Sequence, residues 1–146
     1  QLMNVPENEK GWESCLERRN KWSREYMAVQ IVADLYGCKG ILDDVAAITD
    51  AAHKAIDYVG AQVVEECIHK FEPIGITYFS VISTSHFSIH TWPEYGYAAV
   101  DIFSCNDTVA EGISQMLQEL FGAERIMLRH IERDIGTADS VLEQDE

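Results

Sequence analysis

Two histidines and three serines fall within one short stretch, Val81-Ile-Ser-Thr-Ser-His-Phe-Ser-Ile-His-Thr-Trp-Pro-Glu94. Imidazoles and hydroxyls at that density can serve nucleophilic attack, proton transfer or metal ligation. The stretch is rich in β-formers. On a strand His86, Ser88 and His90 share one face, and Phe87 and Ile89 share the other. A strand with one wet face and no chemistry reads the same way. Metal ligation by the two histidines is disfavoured, since four strand positions span roughly 13 Å. Cys67 and His69 are better spaced, at i and i+2, but a pair alone makes no metal site, and none is expected. A Ser-His-acid hydrolase also fits poorly. There is no G-x-S-x-G elbow, and Ser85 and His86 are neighbours whose side chains diverge.

These residues need a scaffold, and the chain supplies alternating β and helical patterns. Residues 26–36 read as a strand stopped by Gly37. Asp43 or Asp44 can cap a helix on which Val45, Ile48, Ala52, Ala55, Ile56 and Val59 recur, ended by Gly60. Strands are predicted over 62–70, 76–82, 86–91, 97–104 and 124–131, with Pro93-Glu94-Tyr95-Gly96 as a turn. Thr108-Val-Ala-Glu111 is a capping box, opening a helix whose apolar face is Ile113, Met116, Leu117, Leu120 and Phe121. Each helix has one apolar face and needs a sheet to cover. The expected fold is α+β, a mainly antiparallel sheet with helices on one face. Residues 25–134 form the expected domain. Residues 1–24 are read as a polar, mobile N-terminal extension and 135–146 as a frayed acidic tail.

Composition narrows the function. At 146 residues, the chain has room for one core. Eleven Lys and Arg against 25 Asp and Glu leave a net charge of −14, which repels nucleic acid and anionic membranes. The longest apolar run is far short of the ~18 residues of a membrane span. The polar start, Gln1-Leu-Met-Asn4, does not read as a secretory signal. The four cysteines are scattered without C-x-x-C, so free thiols in a reducing, cytoplasmic location are expected.

The segment Ser83–Cys105 resembles the central motif of the small prokaryotic S-adenosylmethionine decarboxylases, which are pyruvoyl-dependent. The unbroken run His90-Thr-Trp-Pro-Glu-Tyr-Gly-Tyr-Ala-Ala-Val-Asp101 is highly specific. A looser likeness runs from about Val29, through Tyr36-Gly37-Cys38 and His69-Lys70-Phe71, to about Arg133. The resemblance implies a proenzyme that cuts itself between Thr84 and Ser85 and converts Ser85 into a pyruvoyl group. Thr77 matches the hydroxyl that assists the ester step, and His90 the residue that helps remove the Cα proton. The pyruvoyl ketone would form a Schiff base with the substrate and withdraw electrons as CO₂ leaves. Cys105 matches the acid that reprotonates the substrate carbon. Phe71 matches an aromatic that stacks on adenine, and Glu94 a substrate-contacting position. The resemblance further implies a homodimer of cleaved αβ protomers. Their sheets would pack into an αββα four-layer sandwich, with active sites at the interface.

Three departures bear on the reading. Thr84 stands where the family usually has Glu, bulky Tyr78 follows the processing hydroxyl, and Glu72 follows Phe71. A buried, directed Glu72 would bind an ammonium or guanidinium, so arginine or ornithine decarboxylation is an alternative. The other alternative is a catalytically inactive, regulatory paralogue.

Overall fold

The computed structural model describes residues 27–83, 85–104 and 112–134. The 1–24 extension, the capping box at Thr108–Glu111 and the 135–146 tail lie outside the described residues. The described chain runs β1 (Met27–Tyr36), α1 (Val45–Tyr58), β2 (Val63–Lys70), β3 (Ile76–Ile82), β4 (Ser85–Trp92), a 3-10 turn (Pro93–Tyr95), β5 (Tyr97–Ser104), α2 (Ile113–Phe121) and β6 (Arg125–Asp134). The strands form one six-stranded sheet in the order β2-β3-β4-β5-β1-β6. Every neighbouring pair is antiparallel, as the α+β reading expects.

Both helices lie on the same face because each has an apolar stripe to bury. Ile48, Ala51, Ala52, Ala55 and Ile56 of α1 pack toward β2, β3 and β4. The alanines let the helix approach closely at little side-chain entropy. Ile113, Leu117 and Phe121 of α2 do the same toward β1 and β6. Asp44 caps α1, its Oδ1 accepting from the Ala47 amide at 3.1 Å. At the end of α2, Gly122 takes φ +56°, and the Ala123 amide returns to the Gln118 carbonyl at 3.0 Å. The core lies between helices and sheet, where Ile31, Leu35, Phe87, Ile89 and Ile102 are fully buried. No described helix is long and apolar enough to cross a membrane.

The helix-free face is different. Phe79, Val81, Trp92, Met127 and Ile131 leave 42–47% of their surface exposed there. That is an apolar face that none of the described residues covers.

Two details depart from the sequence reading. β6 continues three residues beyond the expected end, pairing with β1 as far as Met27↔Asp134. Its distal half is polar and exposed, as an edge strand allows, so alternation could not mark it. Tyr78, the bulky residue beside Thr77, points away from Thr77 into the core and is fully buried. Burial raises its phenol pKa, and the neighbouring Ser80 hydroxyl only partly offsets this. Neither hydroxyl completes a hydrogen bond among the described residues.

The Tyr78 ring therefore contributes packing while its hydroxyl costs desolvation. Tyr78→Phe is expected to leave stability within about 1 kcal/mol or raise it. Tyr78→Ala should cost roughly 3–5 kcal/mol through the cavity it opens. Urea midpoints of the two variants check both outcomes.

Candidate active site

Register positions the chemistry. Along the β3–β4 ladder, Thr77 pairs with His90, Phe79 with Ser88 and Val81 with His86. The Thr77 Oγ1 and His90 Nδ1 atoms lie 2.9 Å apart, and both residues are half-buried. This contact fixes the imidazole plane. For Nε2 to act as a base, Nδ1 must carry the proton and donate it to Thr77. On the next strand His69 pairs with Thr77. The His69 ring meets Phe71 edge-on at 4.5 Å, and Phe71 is 46% exposed. Trp92 lies 6.4 Å from His90, and Tyr97 5.4 Å from Trp92. Glu94, exposed in the 3-10 turn, belongs to the same end of β4. Glu72 is exposed in the loop after Phe71.

Ser85 sits elsewhere. It is the first residue of β4, half-buried and paired with Ile82. Five strand steps separate it from His90, roughly 16 Å at ~3.3 Å per residue. It also falls in phase with Phe87 and Ile89, not with His90. Ser104 ends β5 one residue past the His86↔Phe103 pair, at the Ser85 end. Cys105 follows Ser104 in the sequence and, like Thr84, lies outside the described residues. The protomer thus brings Phe71, Thr77, His90 and Glu94 toward one end of β4 and leaves Ser85 at the other. Within one protomer Ser85 and His90 therefore stand at opposite ends of β4.

Between the two ends runs a polar ladder that the motif reading missed. Gln30 Nε2 donates to both Asp101 oxygens, at 3.1 and 3.3 Å, and His86 Nε2 stands 3.3 Å from Asp101 Oδ2. The His86 ring stacks on Phe79 at 5.6 Å. Tyr97 donates its hydroxyl to Asp34, which Arg129 approaches at 3.8 Å. The available signal was parity: these residues alternate with the apolar core positions of their strands.

Comparison with known proteins follows the same residues. The family described as S-adenosylmethionine decarboxylase matches residues 29–134. An S-adenosylmethionine decarboxylase proenzyme of Acidithiobacillus ferrooxidans is 42% identical over 106 residues, 71% of this chain and 80% of that relative. The proenzyme of that name from Caldanaerobacter subterraneus is 44% identical over 108 residues, 72% of this chain and 86% of the relative. The solved adenosylmethionine decarboxylase of Aquifex aeolicus superposes with a TM-score of 0.70 at 31% identity, over 78% of this chain and 96% of that one.

The ladder has a measurable titration. Burial first, and the Asp34 carboxylate second, push the Tyr97 phenol up to about 12. A phenol whose folded pKa exceeds its unfolded value of ~10 stabilises the fold fully below pH 10. That contribution is lost as the pH rises from about 10 toward about 12. Burial also pushes the Cys38 thiol up to about 11, so the test is a difference between variants. Tyr97→Phe should flatten the alkaline fall in urea stability relative to the parent, while Cys38 keeps its own share.

Proposed function

Because the chain belongs to the S-adenosylmethionine decarboxylase family, we propose that it is a proenzyme that cuts itself at Thr84-Ser85 and then decarboxylates S-adenosylmethionine, supplying aminopropyl groups for spermidine synthesis. The observation that carries the reading is the Thr77–His90 pair, a hydroxyl and an imidazole held at 2.9 Å across the β3–β4 ladder, on the same strand that begins at Ser85.

In this reading Ser85 Oγ attacks the Thr84 carbonyl and its amide becomes an ester, a step assisted by the Thr77 hydroxyl. His90 then takes the Ser85 Cα proton. The C–O bond breaks, the Thr84 carboxylate leaves as the new end of the β chain, and water hydrolyses the imine tautomer of the dehydroalanine left at residue 85, releasing ammonia and leaving the ketone. Thr84 presents only its backbone carbonyl to this step, so its side chain does not block it. The position fits a modified residue, because a cut before Ser85 leaves β4 paired from its first residue. The pyruvoyl group made from Ser85 supplies an electron-withdrawing ketone for loss of CO₂. Phe71 offers a ring to adenine and to the sulfonium cation, and Glu94 contacts the substrate beside it. Cys105 returns the proton to the substrate carbon.

The separation of the two ends points to a homodimer. Two uncovered apolar sheet faces that meet about a two-fold axis make an αββα four-layer sandwich. The same operation can set the Ser85 end of one protomer against the Thr77–His90 end of its partner. Each active site then takes Ser85 and Cys105 from one copy and Phe71, Thr77, His90 and Glu94 from the other. The arginine or ornithine alternative needs a buried, directed Glu72. An exposed carboxylate would discriminate little between substrates.

Ser85→Ala should remain one full-length chain in denaturing mass spectrometry; a variant still split at residue 85 would end the mechanism. Cys105→Ala should split normally and lose most release of labelled CO₂ from carboxyl-labelled S-adenosylmethionine. A parent that splits but releases none would point to the inactive paralogue.

Mixing variants tests the crossed sites. His90→Ala alone should stall unsplit. Co-expressed with Ser85→Ala, its chain should be cut, because the partner's intact Thr77–His90 pair reaches its Ser85. No cutting in a proven mixed dimer would mean that each protomer serves itself.

A further inference from the structure

Phe71 raises a positioning problem. Its ring is 46% exposed and meets His69 at its edge, so core packing does not fix it. A ring that stacks on a substrate still needs a defined place, and the backbone must supply it. The loop after β2 does so through one carboxylate that the motif reading left as a possible helix cap. Asp43 Oδ1 accepts the Gly75 amide at 2.8 Å and faces Lys70 Nζ at 3.0 Å. Lys70 Nζ also donates to the Phe71 carbonyl at 2.9 Å, and the Phe71 amide donates to the Gly75 carbonyl at 2.8 Å. Both ends of the loop are thus tied to Asp43.

Asp43 is itself held from both sides. Before it, the Leu42 carbonyl accepts from Thr91 Oγ1 at 2.7 Å, and that same buried hydroxyl accepts the Ile76 amide at 2.9 Å. After it, Asp44 caps α1. At Gly75, φ is +110° and an added Cβ would stand 3.3 Å from the Thr91 carbonyl oxygen, so the loop closes tightly at a position suited to glycine.

We infer that Asp43, acting with Lys70, is a positioning residue that sets the Phe71 loop for substrate binding without touching substrate. The inference rests on the proposed contact between Phe71 and S-adenosylmethionine. The Asp43 carboxyl is held below the usual carboxylate range, chiefly by the Gly75 amide and then by Lys70, so it is ionised at neutral pH.

The test is steady-state kinetics on the self-cleaved dimer with S-adenosylmethionine. Asp43→Ala should raise KM roughly tenfold, the scale of a modest misplacement, with kcat within about twofold and self-cleavage at the parent rate. Asp43→Asn keeps an oxygen for the Gly75 amide and should fall between parent and Ala. Lys70→Met should raise KM on its own, which covers the case in which Asp43→Ala does not fold. Added to Phe71→Ala, Asp43→Ala should raise KM no further, since a clamp has nothing left to place. If Phe71→Ala leaves KM unchanged, the reading of Phe71 as a substrate contact fails, and the inference with it. If Phe71→Ala raises KM but Asp43→Asn and Lys70→Met do not, the clamp alone is overturned.

Discussion

The 2.9 Å contact between Thr77 and His90 exists only because β3 and β4 hold one register. A strand's two faces alternate, so a slip of one residue would send every side chain of β4 to the opposite face. The slip is opposed where it would cost most. Ile76, Tyr78 and Ile82 on β3 and Phe87 and Ile89 on β4 are all buried against the helices. Thr91 adds a polar lock, since its buried hydroxyl holds the Ile76 amide and the Leu42 carbonyl together. The register that buries the core therefore also aims the imidazole, and the Thr77–His90 contact inherits its geometry from hydrophobic burial.

The same alternation leaves the protomer incomplete in two respects. Its helix-free face keeps Phe79, Val81, Trp92, Met127 and Ile131 partly in water. Ser85 and His90, the residues proposed to react, stand at opposite ends of β4. One remedy answers both: the proposed second copy covers the apolar face and supplies the missing half of each site. Gln30 and His86 meet Asp101 along that face, and Tyr97 donates to Asp34. Such mutual pairing lets polar groups enter an interface without being left unbonded.

Much of this was legible in the sequence because the signals were redundant. α1 has its cap at Asp44, an apolar stripe and a terminating glycine, and each of them locates the helix. The resemblance singled out Thr77, Ser85 and His90 together, and the ladder brings two of them, Thr77 and His90, into contact. The separation of Ser85 from His90 was implicit in a strand over 86–91, since the rise that parts His86 from His90 parts Ser85 from it further. Tyr78 looked like an obstruction beside Thr77, but neighbours on a strand face opposite ways, and its bulk fills the core. Asp43 was read as one of two helix caps. Its neighbour took that role, and its work lies 32 residues away at Gly75, beyond any local pattern.

Strand order also explains how a chain can be cut at residue 84 and keep its shape. A cut before Ser85 assigns β1, β2, β3 and α1 to one fragment and β4, β5, β6 and α2 to the other. In the sheet these strands do not segregate. β3 pairs with β4 at one junction, while β1 lies between β5 and β6. Three ladders therefore join the fragments, and one fragment's strand is enclosed by two of the other's. α1 also packs across the cut, since it belongs to the first fragment and touches β4 of the second. Separating the pieces would break those ladders and expose Ile31, Leu35, Ile89 and Ile102 together, which is unfolding in all but name. A break before Ser85 thus costs the sheet little, because β3 and β4 stay paired as far as Ile82↔Ser85 without that bond.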